Sequence, residues 1–146
     1  MRITQEADYA IRICTILDGA EDIMGAAEIS DKAFITQRFA LKILRKLNEA
    51  GLTRSFKGAH GGYELAQRGE DIAIIDIIEA IDGSVRISKC LGCDESCSRN
   101  PVKSNCKMHL AFEVINDTLV RNLGRITVRM ISDEGVSAEE VCALLK

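Results

Sequence analysis

The chain lacks any apolar run approaching the roughly 20 residues of a membrane-spanning helix, and no basic-then-apolar leader opens it. It is expected to be soluble and cytoplasmic, with no membrane partner. Internal repeats and low-complexity tracts are also missing, and an apolar content of 47% over 146 residues suits one globular domain with appendages. No phosphate-cradling loop follows a strand, and no nucleophile and base stand at a recognisable spacing, so no enzyme is expected. Histidine occurs twice, at His60 and His109, and proline once, at Pro101. Cysteine is the exception to this plainness, with six residues in a chain whose expected compartment keeps thiols reduced. Metal ligation or redox chemistry therefore fits them better than disulfides.

Four of the six crowd into one stretch: Cys90, Cys93, Cys97 and Cys106, followed by His109. Cys14 and Cys142 stand apart in apolar surroundings and read as small core hydrophobes. The residues between the crowded sulfurs, among them Asp94, Glu95, Ser96, Ser98, Arg99 and Asn100, are polar. Such a segment has too little apolar surface to order itself, and a metal ion or an iron-sulfur cluster would hold it. Cys106 and His109, if helical, share one face and can approach the same iron. The Cys90 and Cys93 pair lacks a thioredoxin-like context.

The net charge of −3 conceals an asymmetry: residues 32–68 carry eight Lys or Arg against two acids, whereas residues 69–146 carry nine against thirteen. The first half can meet a polyanion. Periodicity predicts helices at about Gln5 to Leu17, with Ala7, Ala10, Ile11, Cys14 and Leu17 inward, at Gly25 to Lys32, and at Thr36 to Ala50. The third carries Arg38, Lys42, Arg45 and Glu49 opposite its apolar side. A hairpin follows, Leu52 to Lys57 and Gly62 to Ala66, around a glycine-rich turn. Helix, helix, basic helix, hairpin is the order of a winged helix-turn-helix that reads double-stranded DNA. Thr36, Gln37, Arg38 and Lys42 are placed for base edges, and Arg45, Lys46, Arg54 and Lys57 for phosphates. His60 stands at the wing tip. Ile72 to Ile81 reads as a buried helix in its later part, with a strand for Ile72 to Ile75 nearly as good. A long helix from Pro101 to about Leu123 carries an apolar stripe (Val102, Cys106, Leu110, Val114, Ile115, Leu119, Leu123) that a second copy would cover, giving a homodimer. Ser137 and Glu140 form a capping box for a last short helix. The expected fold is mainly α with a small β-wing: a DNA-binding domain at 1–84, a cysteine-rich loop at 85–107, a dimerisation helix at 101–125 and a C-terminal segment at 126–146.

The opening Met1-Arg-Ile-Thr4 with Asp8-Tyr-Ala10, the basic helix followed by Ala50-Gly-Leu52, and the wing Lys57-Gly-Ala-His-Gly-Gly-Tyr63 resemble the Rrf-two family of bacterial winged-helix transcriptional regulators. The resemblance implies a homodimer on a pseudo-palindromic operator, commonly as a repressor, with the cysteine loop sensing iron-sulfur, redox or nitric oxide status. It implies a cluster, 2Fe-2S or 4Fe-4S, held by Cys90, Cys97, Cys106 and His109. Cys93 is an extra thiol and an alternate ligand, and Asp8 of the partner subunit is another.

Blander readings stand beside these. Cys and His in tetrahedral order also suit structural zinc, and metal-free thiols can sense redox state directly. His109 alone would be a partly buried histidine, Asp8 a solvated carboxylate and His60 a turn residue. A basic helix face alone is a solvated one. An iron-sulfur carrier or electron-transfer module would use the cysteines but has no need of a basic helix and wing.

Overall fold

The computed structural model describes residues 2–92, 97 and 103–146; Cys93, Pro101 and Val102 lie outside the described residues. Helix α1 spans Gln5–Asp18, and its N-cap Thr4 accepts a hydrogen bond from the Ala7 amide. Its buried row is Ala7, Ala10, Ile13, Cys14 and Leu17. Ile13 thus takes the inward place that spacing gives to Ile11, which is only partly buried. Burial pushes the Cys14 thiol up to about 12, so it packs as a hydrophobe and cannot act as a thiolate. Cys142 differs from expectation by being exposed.

Helix α2 is Ala26–Ala33 and α3 is Gln37–Glu49. The turn between them passes through Phe34, which has left-handed backbone angles, φ 56° and ψ 44°. Thr36 caps α3 by accepting from the Phe39 amide, and Gly51 supplies the positive φ that ends it. Ala40, Ile43, Leu44 and Leu47 face the core, as the spacing predicts. The wing pairs β1 (Thr53–Phe56) antiparallel to β2 (Gly62–Leu65), in the register Thr53 to Leu65 and Phe56 to Gly62. Met24 adds a bridge on the far side of β2 by exchanging backbone hydrogen bonds with Tyr63. A Cβ on Gly62 would come within 2.5 Å of the Met24 carbonyl oxygen, and one on Gly61 within 2.3 Å of that of Phe56. Both glycines are therefore required by the wing's own backbone, before any phosphate approaches.

Ile72 and Ala73 are extended, and α4 begins at Ile74 and runs to Asp82. Both readings of the isoleucine run hold in part, because the Ile72 carbonyl accepts from the Val128 amide and the Ile74 amide donates to Ile126. Helix α5 is Lys107–Arg125, with Cys106 at its N-cap after a 3-10 turn at Lys103–Asn105. It starts later than the residue 101 expected from proline, because Cys106 itself is extended (φ −99°, ψ 105°). No residue of α5 is fully buried: Leu119, Val120 and Leu123 lean on the core, while Val114 and Ile115 are 67% and 55% exposed. Helices α6 (Val128–Ser132) and α7 (Ala138–Leu144) finish the chain, α7 with the expected Ser137 and Glu140 capping box. No helix among the described residues is long and apolar enough to cross a membrane.

One ion cluster ties α1 to α3. Glu6, 18% exposed, lies 2.9 Å from both Lys42 and Lys46. Its burial opposes ionisation, but the two ammonium groups outweigh that and hold its carboxyl below the ordinary 4.5. A depressed carboxylate stabilises the fold above the unfolded-state value and ceases to do so as pH falls through the folded one. Glu6→Gln is therefore expected to cost about 1–2 kcal/mol at pH 7, between the limits for exposed and buried pairs. That difference from wild type should shrink below about pH 4 in urea titrations at several pH values.

Candidate functional site

The basic face of α3 is divided by what its residues touch. Lys42 and Lys46, one turn apart, turn toward Glu6 on α1, and Lys46 Nζ also donates to the Ile81 carbonyl at 3.4 Å. On the other flank Asn48 donates to Ser55 Oγ at 3.2 Å and ties α3 to the wing. Between these flanks Gln37, Arg38 and Arg45 are exposed, with Arg45 paired to Glu49 at 2.9 Å along its own helix. Leu41, 42% exposed, stands among them, an apolar residue that a pattern of charge does not reveal. Thr36 sits at the helix start, its Oγ engaged as the cap. On the wing Arg54 donates to the Ala66 carbonyl at 2.7 Å, and Lys57 and His60 are exposed in the loop between the strands. Seven of the nine sequence-selected residues thus share the outer surface of α3 and the wing. Lys42 reaches it from the Glu6 side, and Lys46 is held on the inner edge.

The second constellation lies at the start of α5. Cys90 sits in a 3-10 turn at Lys89–Leu91, with Ser88 Oγ 3.3 Å from its sulfur. Cys90, Cys97, Cys106 and His109 line one cavity of about 600 Å³, together with Met108 and Phe112. Lys103 and Lys107 also border it and place positive charge beside the first turn of a 19-residue helix. Lys103 Nζ donates to the Gly92 carbonyl at 2.6 Å and so holds the two limbs of the loop together. His109 Nδ1 is buried without a hydrogen-bond partner among the described residues. A buried ring nitrogen in that state is expensive unless something ligates it. Three thiols and an imidazole, around a space larger than an ion, suit a cluster or a metal. Among the described residues no three such side chains are already drawn within reach of a single ion. Asp8 does not line the cavity: it is exposed on α1 and paired with Arg12 at 3.2 Å. The Cys93 alternate lies outside the described residues.

Comparison with known proteins bears on the family and the fold. The chain is 30% identical over 143 residues to the HTH-type transcriptional regulator IscR of Pectobacterium atrosepticum, covering 97% of this chain and 82% of that one. It is 26% identical over 145 residues to the protein rrf2 of Nitratidesulfovibrio vulgaris, covering 97% and 95%. In fold it is similar to the global cysteine regulator CymR of B. subtilis (TM-score 0.70, 23% identity, 90% of this chain and 96% of that one). It is likewise similar to T. potens IscR (TM-score 0.70, 20% identity, 94% and 93%). The relatives are regulators and not enzymes. The model of the Rrf2 family, described as an iron-dependent transcriptional regulator, matches residues 3–134. That span takes in every element from α1 to α6, wing and cysteine cavity included, so it is the whole architecture and no single motif that makes this chain a member of the Rrf2 family of transcriptional regulators.

Proposed function

We propose that the chain is a homodimeric, cytoplasmic repressor whose affinity for a DNA operator is set by an iron-sulfur cluster held at Cys90, Cys97, Cys106 and His109. The observation that carries this is the one cavity lined by all four, with His109 Nδ1 buried and without a hydrogen-bond partner among the described residues. When bound, such a cluster supplies an iron centre responsive to oxidants, nitric oxide or iron supply. The chain's own residues do the rest. The ammonium groups of Lys103 and Lys107 border the cavity and would offset the negative charge of a thiolate-ligated cluster. Helix α5 carries Cys106 and His109 at one end and the exposed Val114 and Ile115 further along, so the ligands and the face for a second copy share one rigid element. Helix α4 lies between α5 and α3, and the Lys46 bond to the Ile81 carbonyl joins α4 to the DNA-reading helix. A shift of α5 in the dimer therefore has a packed route to the spacing of the two reading helices.

Anaerobic purification with an absorbance spectrum and iron and sulfide counts tests the cofactor. Zinc without sulfide would end the cluster reading. On the DNA side, Arg38→Ala is expected to cost about 1–3 kcal/mol of operator discrimination. Lys57→Ala should instead weaken all duplexes alike and reduce the salt slope by about one. Titration of operator and random duplex at three salt concentrations separates the two. Equal losses on both duplexes for Arg38→Ala would remove it from the base-reading set.

A further inference from the structure

On the side of α5 that leans on the core, Leu119, Val120 and Leu123 are followed, toward the N-terminus, by Asn116. A polar residue in that row interrupts apolar packing, and asparagine is a poor helix-interior residue. Its side chain does not bond back to its own helix. Oδ1 accepts from the Ile87 amide at 3.0 Å, and Nδ2 donates to the Val85 carbonyl at 3.2 Å. One amide thereby engages an acceptor and a donor two residues apart on the segment between α4 and Cys90, the pairing a neighbouring strand makes along one edge. Val85 is buried beneath it, and its own amide donates to Glu79 Oε1 at 3.3 Å.

We infer that Asn116 is a positioning residue for the cysteine cavity, fixing the segment that leads into Cys90 onto the helix that carries Cys106 and His109. The spans agree. Asn116 lies two turns from His109, about 10 Å along the axis. Cys90 lies three residues beyond Ile87, at most about 10–11 Å of chain. Pinned at Ile87 and folded into the 3-10 turn at Lys89–Leu91, the chain leaves Cys90 on the wall of the cavity that Cys106 and His109 also line. Lys103 on the Gly92 carbonyl closes the far limb, so Cys90 is held from both sides. This role rests on the proposal that the cavity holds a cluster or metal.

The test uses the full chain with Asn116→Leu, which restores an apolar row and should keep the fold, and Asn116→Asp, which keeps the acceptor for Ile87 but loses the donor to Val85. Two readouts are needed. In protein reconstituted with ferrous iron and sulfide, or with zinc, loss of metal to a chelator should be roughly 10–100-fold faster in Asn116→Leu, the usual effect of removing a residue that orients a ligand. Asn116→Asp should fall between it and wild type. In metal-free protein, alkylation of Cys90 by iodoacetamide, scored by peptide mass spectrometry against exposed Cys142, should rise severalfold while the thermal midpoint is not lowered. Wild-type rates in both assays would overturn the inference while leaving the cavity's proposed role intact. If wild type retains metal no better than Cys106→Ala, the cavity reading fails, and the positioning role falls with it.

Discussion

Cys106→Ala is expected to abolish cluster or metal retention while leaving the thermal midpoint of the metal-free protein within a few degrees of wild type. The two halves of this expectation have separate causes. Cys106 is only partly buried and stands at the α5 N-cap without a side-chain capping bond, so truncation removes little packing and no helix-end hydrogen bond. As a ligand, however, it joins the loop to α5 one turn before His109, and a direct thiolate is worth more than the roughly 10–100-fold of an orienting neighbour. Cys14→Ala is the internal contrast. Its thiol is fully buried and pushed up to about 12 by desolvation, so that change should cost packing, about 1 kcal/mol, and leave the metal untouched. His109→Ala should weaken retention less than Cys106→Ala if the cluster can take another fourth ligand. Metal content after anaerobic gel filtration, with thermal melts of the metal-free forms, distinguishes all three. Full iron and sulfide in Cys106→Ala would remove that residue from the ligand set.

What could be read from sequence follows the range of the interactions involved. The caps at Thr4, Thr36 and Ser137, the stop at Gly51 and the inward row of α3 are set by residues within one or two turns, and each is where the pattern puts it. The gathering of Cys90, Cys97, Cys106 and His109 was legible because the crowding itself was local. The start of α5 is not set by the proline signal, because a 3-10 turn at Lys103–Asn105 and an extended Cys106 intervene before the helix begins. Lys46 shows the other limit. Its charge belongs to a basic helix by pattern, but Glu6, forty residues upstream, draws it to the inner edge. Asn116 is of the same kind, since nothing near it in sequence reveals that its partners are Val85 and Ile87.

Leu44→Ala is expected to be the most destabilising single truncation on the DNA-reading helix, at about 3–5 kcal/mol. The core gives the reason. Among the described residues, its fully buried hydrophobic members are aliphatic or Cys, with no aromatic ring among them, and many are alanines. Medium-sized side chains such as Leu44, Leu47 and Ile43 therefore supply most of the contact area, and small neighbours cannot collapse far into a vacated site. Domains of this size hold roughly 5–15 kcal/mol in total, so the loss is a large part of the whole. Urea unfolding at fixed protein concentration should show a lower midpoint with an unchanged slope. Operator binding should fall only in proportion to the unfolded fraction. Leu41→Ala, three residues away on the exposed side, should do the reverse: stability within about 0.5 kcal/mol of wild type, and a loss of operator affinity that persists where the protein is fully folded. An equal stability cost at Leu41 would mean that this face of α3 packs against protein, and its assignment as the reading surface would have to be withdrawn.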